Sequence, residues 1–159
     1  MQVVHSIPPV YDQESRVLIL GSFPSVRSRE VGFFYGHPQN RFWRTLSTVL
    51  GAEEPKTIED KKGFLHAHHI AIWDVIATCD IKGSSDSSIK NAIPNDVLSL
   101  ITKTKITQIY TNGNTAHRLY CRFLQAYTKM EAVCLPSTSP ANAAWGLERL
   151  VAAWRVIVQ

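Results

Sequence analysis

The chain has 159 residues, a formal net charge of +4 and a pI near 9.1, with 45% hydrophobic and 19% charged residues. That fits one globular domain with a sizeable core, and no apolar run is long enough to span a bilayer. The N-terminus lacks the basic and apolar segments of a signal peptide, and Cys79, Cys121 and Cys134 lie far apart with no CxxC pair, so a disulfide framework and a cysteine zinc site are set aside and a reducing, intracellular setting is expected.

Residues before Arg16 read as an extended lead-in, because Pro8-Pro9 blocks a helix. Val17 to Leu20 reads as the first strand. Gly21 to Trp43 follows as a long turn rich in Gly, Pro and Ser, carrying the rings Phe33, Phe34 and Tyr35 and the polar group His37, Gln39, Asn40 and Arg41. A loop has little structural reason to hold so many flat rings, so they are expected to stack on a flat ligand while the polar groups act on it. Arg27, Arg29, Arg41 and Arg44 gather in or beside this stretch, which permits polyanion binding. Asn40 or a neighbour starts a helix through Phe42, Trp43, Leu46 and Val49 that ends at Gly51. Glu53 to Lys62 reads as a polar turn region with a helical start. Ile70 to Ile76 is a second strand, and Lys82 to Ser88 a loop. Asn95 or Asp96 caps a helix through Val97 and Leu100. Ile106 to Tyr110 is a third strand, followed by a sharp Asn112-Gly113-Asn114 turn and a helix opened by Thr115. Ala132 to Leu135 is a fourth strand that empties into PSTSPAN, residues 136 to 142, before a last helix of about Trp145 to Trp154.

Alternating strands and helices predict a parallel sheet with helices on both faces. No repeat or linker interrupts it, so residues 1–159 read as one domain. Crossover handedness then gathers four loops at one sheet edge: Gly21 to Asn40, Asp74 to Ser88, Asn112 to Thr115 and Pro136 to Asn142. Several chemistries fail on spacing. His66, His68 and His69 form HxHH rather than HExxH and lack a nearby carboxylate, so a surface histidine cluster is the simpler reading and no metal is expected. Ser22 and Ser25 sit in GSFPS, not GxSxG, and no P-loop exists.

FFYGHPQNRFW after the first strand and LPSTSPAN after the fourth resemble the two signature loops of the uracil-DNA glycosylase superfamily. The HPQNRFW ending resembles its mismatch-specific branch, and GSFPS together with PSTSPAN resembles the hypoxanthine-DNA glycosylase family. The resemblance implies a three-layer α/β/α sandwich around a four-stranded parallel sheet. It implies a monofunctional enzyme, acting as a monomer without metal or organic cofactor, that flips a deaminated base out of DNA and hydrolyses its bond to the sugar.

Carried onto this sequence, the resemblance puts Tyr35 on the flipped base, a backbone amide of Ser22 or Phe23 against a base carbonyl, and Asp74 on the base edge. PSTSPAN would press on the phosphates and enter the gap left by the base, with Ser137, Thr138, Ser139, Pro140 and Asn142 at the DNA. Arg27 and Arg41 would contact phosphates, and Asn112 and Gly113 would lie on the same surface. Uracil-removing relatives place Asn or Asp just before the Pro of the first loop, where this chain has Phe23. Many begin the second loop with His or Asn, where it has Leu135. Asn40 is the residue expected to take over positioning of water, as in the hypoxanthine family. Hypoxanthine is the expected base. The alternatives are a mismatch-specific uracil or thymine glycosylase and a catalytically silent relative that binds damaged DNA.

Overall fold

The structure, a computed structural model, describes residues 2–158. In chain order the elements are β1 (Gln2–Val4), β2 (Val17–Gly21), α1 (Val26–Val31), α2 (Phe42–Val49), α3 (Ile58–Ala67), β3 (Ile70–Asp74), β4 (Ile76–Asp80), β5 (Lys90–Pro94), α4 (Val97–Thr102), β6 (Gln108–Asn112), α5 (Asn114–Phe123), α6 (Gln125–Thr128), β7 (Ala132–Leu135) and α7 (Leu147–Trp154). The main sheet has the order β3-β2-β6-β7 and every pairing in it is parallel.

Period-2 alternation along β2 assigns its side chains to two cores. Ile19 faces a cluster containing Phe42, Leu46, Leu65 and Trp154, so α2, α3 and α7 cover that face. Leu18 and Leu20 face a cluster containing Val97, Leu100, Leu119 and Tyr120, which puts α4 and α5 on the other. This is the expected three-layer sandwich.

Three features depart from the sequence reading. The apolar run expected as one strand from Ile70 to Ile76 splits after Asp74, and β4 turns away into a second, antiparallel sheet of order β1-β4-β5. A continuous run of Ile, Ala, Trp and Val cannot reveal a change of sheet, because burial on both sides of the break looks the same. The lead-in thereby gains a strand, and β1 delivers His5 to the sheet edge. The polar region after Gly51 holds a ten-residue helix, α3, started by Thr57, whose hydroxyl accepts from Asp60 N–H at 3.0 Å. The first long turn also contains α1, capped by Ser25.

Candidate active site

The carboxyl ends of the four parallel strands open into a cavity of about 290 Å³ to which all four expected loops contribute. A groove of about 450 Å³ lies beside it, between the N-terminus of α5 and residues 134–145.

Asp74 ends β3 and is buried. Its Oδ2 lies 2.7 Å from His5 Nε2, and both side chains are almost fully enclosed. Ile7 N–H donates to His5 Nδ1 at 3.2 Å, so the hydrogen sits on Nε2 and points at the carboxylate. Asp74 therefore holds a long-range partner rather than capping its own turn. A Cβ at Gly21 would stand 2.3 Å from Asp74 Oδ1 and 3.1 Å from Tyr35 Oη. The bare glycine lets both groups close on the turn. Among the described residues neither Ser22 N–H nor Phe23 N–H makes a hydrogen bond, so both are open to a ligand carbonyl. The Phe23 ring is buried, with His5 edge-on to it at 5.8 Å.

Tyr35 has φ +54°, a conformation that costs a side chain with Cβ free energy and is common at functional turns. Phe42 stacks on its ring with centroids 4.0 Å apart. Its hydroxyl is buried beside Asp74 and Asn112 without a well-formed hydrogen bond. Burial, and then the charge of Asp74, push the phenol far above its usual range, so it stands as a neutral O–H. Phe34 also lines the cavity. Phe33 does not, being a core residue parallel to Trp43, so the three rings do not act together.

Asn40 Oδ1 accepts from Phe42 N–H at 2.9 Å and from Thr138 Oγ1 at 2.9 Å; it stands one residue ahead of Arg41, the N-cap of α2. Thr138 is fully buried and is itself held by Asn112, which donates to its Oγ1 at 3.0 Å and accepts from its N–H at 3.0 Å. The chain Asn112–Thr138–Asn40 fixes the amide so that Nδ2, unpartnered among the described residues, is its free group at the cavity. Arg41 ties the same two loops together, donating to the carbonyls of Trp145, Ser139 (2.9 Å) and Asn142 (3.2 Å).

Sequence reasoning missed one residue of the cavity, Asp86, and one that stands behind its wall, His5. His5 is alone in the lead-in, where no motif marks it. Asp86 lies in the Ser-rich stretch between β4 and β5 and accepts from Ser22 Oγ at 2.7 Å. Asp86 is exposed by surface area, yet its carboxylate lies among the cavity walls. Burial there raises its pKa and the charge of Asp74 adds to the rise, against the Ser22 hydroxyl and Arg118. The only signal for it was the position of its loop at the carboxyl edge of the sheet.

The Uracil DNA glycosylase superfamily profile matches residues 8–157. The chain belongs to that superfamily. It is 32% identical over 151 residues to a Hypoxanthine DNA glycosylase of Methanosarcina acetivorans, covering 92% of this chain and 93% of that one. It is 35% identical over 85 residues to a Hypoxanthine DNA glycosylase of Methanosarcina barkeri, covering 53% of this chain and 54% of that one. A solution NMR structure from Methanosarcina acetivorans, named as a candidate Uracil DNA glycosylase, superposes over 100% of both chains with a TM-score of 0.81 at 31% identity.

Within this superfamily member the residues expected to meet DNA fall into two groups. Arg41, Asn112 and Thr138 satisfy one another's loops, and Gly113 N–H closes on Leu135 O at 2.8 Å. They hold the site's shape. Ser137 and Ser139 accept from backbone N–H groups within PSTSPAN, Asn142 Nδ2 donates to Ser137 O, and Pro140 stands at the cavity. Arg27 is exposed, 4.0 Å from Glu30. Arg41→Gln is therefore expected to cost about 1.5–3 kcal/mol of stability, the range for hydrogen bonds to a charged group, and to leave the salt dependence of DNA binding unchanged. A log–log salt slope reduced by about one would place the guanidinium on a phosphate instead.

Proposed function

We propose that this chain is a monofunctional DNA glycosylase that removes hypoxanthine from deoxyinosine in DNA, acting as a monomer without a cofactor. The observation that carries this reading is the pairing of a buried acceptor with adjacent free donors: the Asp74 carboxylate, held by His5, beside the N–H groups of Ser22 and Phe23. Hypoxanthine offers an N1–H donor next to an O6 acceptor and satisfies both. Adenine offers an N1 lone pair next to an amino group, and meets a like group at each position. The names of the two Methanosarcina relatives point to the same base.

Tyr35, backed by Phe42, supplies a flat surface for the flipped base, worth about 1–3 kcal/mol. As the C1′–N9 bond breaks, the sugar gains oxocarbenium character and needs a water held on its open face. Phe23 cannot hold one, and the Asn40 amide can. PSTSPAN, already ordered by its own hydrogen bonds, meets the duplex where the base leaves.

Uracil shares the N–H and carbonyl pattern, so uracil removal is the second reading. An oligonucleotide panel with hypoxanthine, uracil, xanthine and mismatched thymine, followed by alkali, separates them, and a strand left intact throughout identifies a binder without catalysis. Asp74→Asn is expected to narrow the preference for hypoxanthine over adenine by about 10-fold or more, because the amide can turn its N–H toward adenine N1. Unchanged preference with lowered thermal stability would reduce Asp74 to a structural partner of His5.

A further inference from the structure

The second carboxylate of the cavity has no part in the reading above. Asp86 arrives on a loop that is firmly seated: Arg29 donates to Gly83 O at 2.7 Å, Val26 N–H to Ser84 Oγ at 2.9 Å, and Ser22 Oγ to Asp86 Oδ1 at 2.7 Å. Among the described residues Asp86 Oδ2 makes no hydrogen bond. Resting on the hypoxanthine reading, we infer that Asp86 is the general acid that protonates N7 of the departing purine.

The groups stand in a fixed order along the turn after β2. Asp74 stands against Gly21, the free N–H groups of Ser22 and Phe23 come next, and Asp86 follows on the Ser22 hydroxyl. Hypoxanthine carries N1–H, O6 and N7 in the same order along one side. With N1–H on Asp74 and O6 on the backbone, N7 falls to Asp86. The buried Tyr35 hydroxyl, lacking a well-formed hydrogen bond, marks the same cavity as unfinished without a ligand.

The chemistry balances. The C1′–N9 electron pair moves onto the purine, the Asp86 proton passes to the N7 lone pair, and hypoxanthine leaves neutral. Water oxygen bonds to C1′, and the proton it releases returns to the Asp86 carboxylate through solvent. Without that transfer an anion would form beside the carboxylate of Asp74, and like charges at such range in a cavity oppose each other.

The surroundings favour a proton on Asp86. Cavity walls raise its affinity for one, Asp74 at the end of β3 raises it further, and the Ser22 hydroxyl and Arg118 on α5 oppose them. Tyr35 and Cys79 also feel its charge, and burial holds both toward their neutral forms. A bound base completes the enclosure of the carboxylate.

The test is single-turnover excision across pH from duplexes carrying deoxyinosine or its 7-deaza analogue, which has carbon in place of N7. Asp86→Asn is expected to slow hypoxanthine release about 10²–10⁴-fold and to remove the decline at high pH. The 7-deaza duplex is expected to be slow with the parent enzyme and to lose nothing further in the variant. Ser22→Ala removes a group that favours the carboxylate, so the alkaline decline moves to higher pH. Equal slowing on both duplexes, or an unchanged rate and pH profile, overturns the assignment. If Asp86→Asn does not fold, the direction of the Ser22→Ala shift decides, and a decline that stays put or moves down overturns it. A parent enzyme that releases no hypoxanthine refutes the glycosylase reading itself, a separate outcome.

Discussion

Asn40→Ala is expected to excise hypoxanthine about 10²–10³-fold more slowly, the usual cost of losing one preorganised polar group at the reacting atoms, while still binding duplex DNA. The carbonyl oxygen of this amide is already taken by Phe42 N–H and Thr138 Oγ1. What remains for the cavity is the amide N–H, fixed in direction by a buried threonine and a second asparagine. In the proposed reaction Asn40 would therefore act by donating, holding the oxygen of the attacking water rather than drawing its proton. The alanine variant also loses the bonds from Phe42 N–H and Thr138 Oγ1, at about 1 kcal/mol each. Asn40→Asp separates the two roles, because a carboxylate oxygen can accept the same two hydrogen bonds. Near-parental melting with a rate as low as that of Asn40→Ala is the expected result. A parental rate in either variant leaves Asn40 as a structural residue alone.

His5→Leu is expected to destabilise the protein by about 3–5 kcal/mol, as removing one partner from a buried polar pair does, lowering the melting temperature by about 10 °C. Asp74 is enclosed and loses the hydrogen bond that orients its carboxylate at the cavity wall. A carboxylate no longer held in place accepts less well from a base N–H, so the preference for hypoxanthine over adenine falls with the stability. His5→Gln keeps an N–H within reach of Asp74 and is expected to recover most of both. Calorimetry and competitive excision measure the two effects. A leucine variant that melts within about 2 °C of the parent with unchanged preference would remove His5 from the site.

The sheet, its two faces and the loops that build the cavity were legible, because each strand is an apolar run with a turn signal at its end. The roles expected of Tyr35 and Asn40 drew on a motif that sits at such an end, and the role expected of Asp74 on its place at the end of a strand. His5 and Asp86 were invisible for a shared reason. Their partners are 69 and 64 residues away, Asp74 for one and Ser22 for the other. No local pattern encodes a contact at that separation. Arg41 and Asn112 illustrate the converse. From the sequence Arg41 reads equally as a phosphate contact or as a structural tie, and the hydrogen bonds show what it and Asn112 hold within the protein.

The three carbonyls gathered on Arg41 tie the first signature loop to residues 139–145 in the protein alone. If residues 136–142 enter the base stack as proposed, a wedge already set in this way does not have to be ordered on entry, and the interaction energy goes into parting the duplex. Calorimetric titration with abasic-product DNA should then yield a heat-capacity change no larger than the contact area alone requires, and loosening the clamp should make it more negative as loop folding is added to binding.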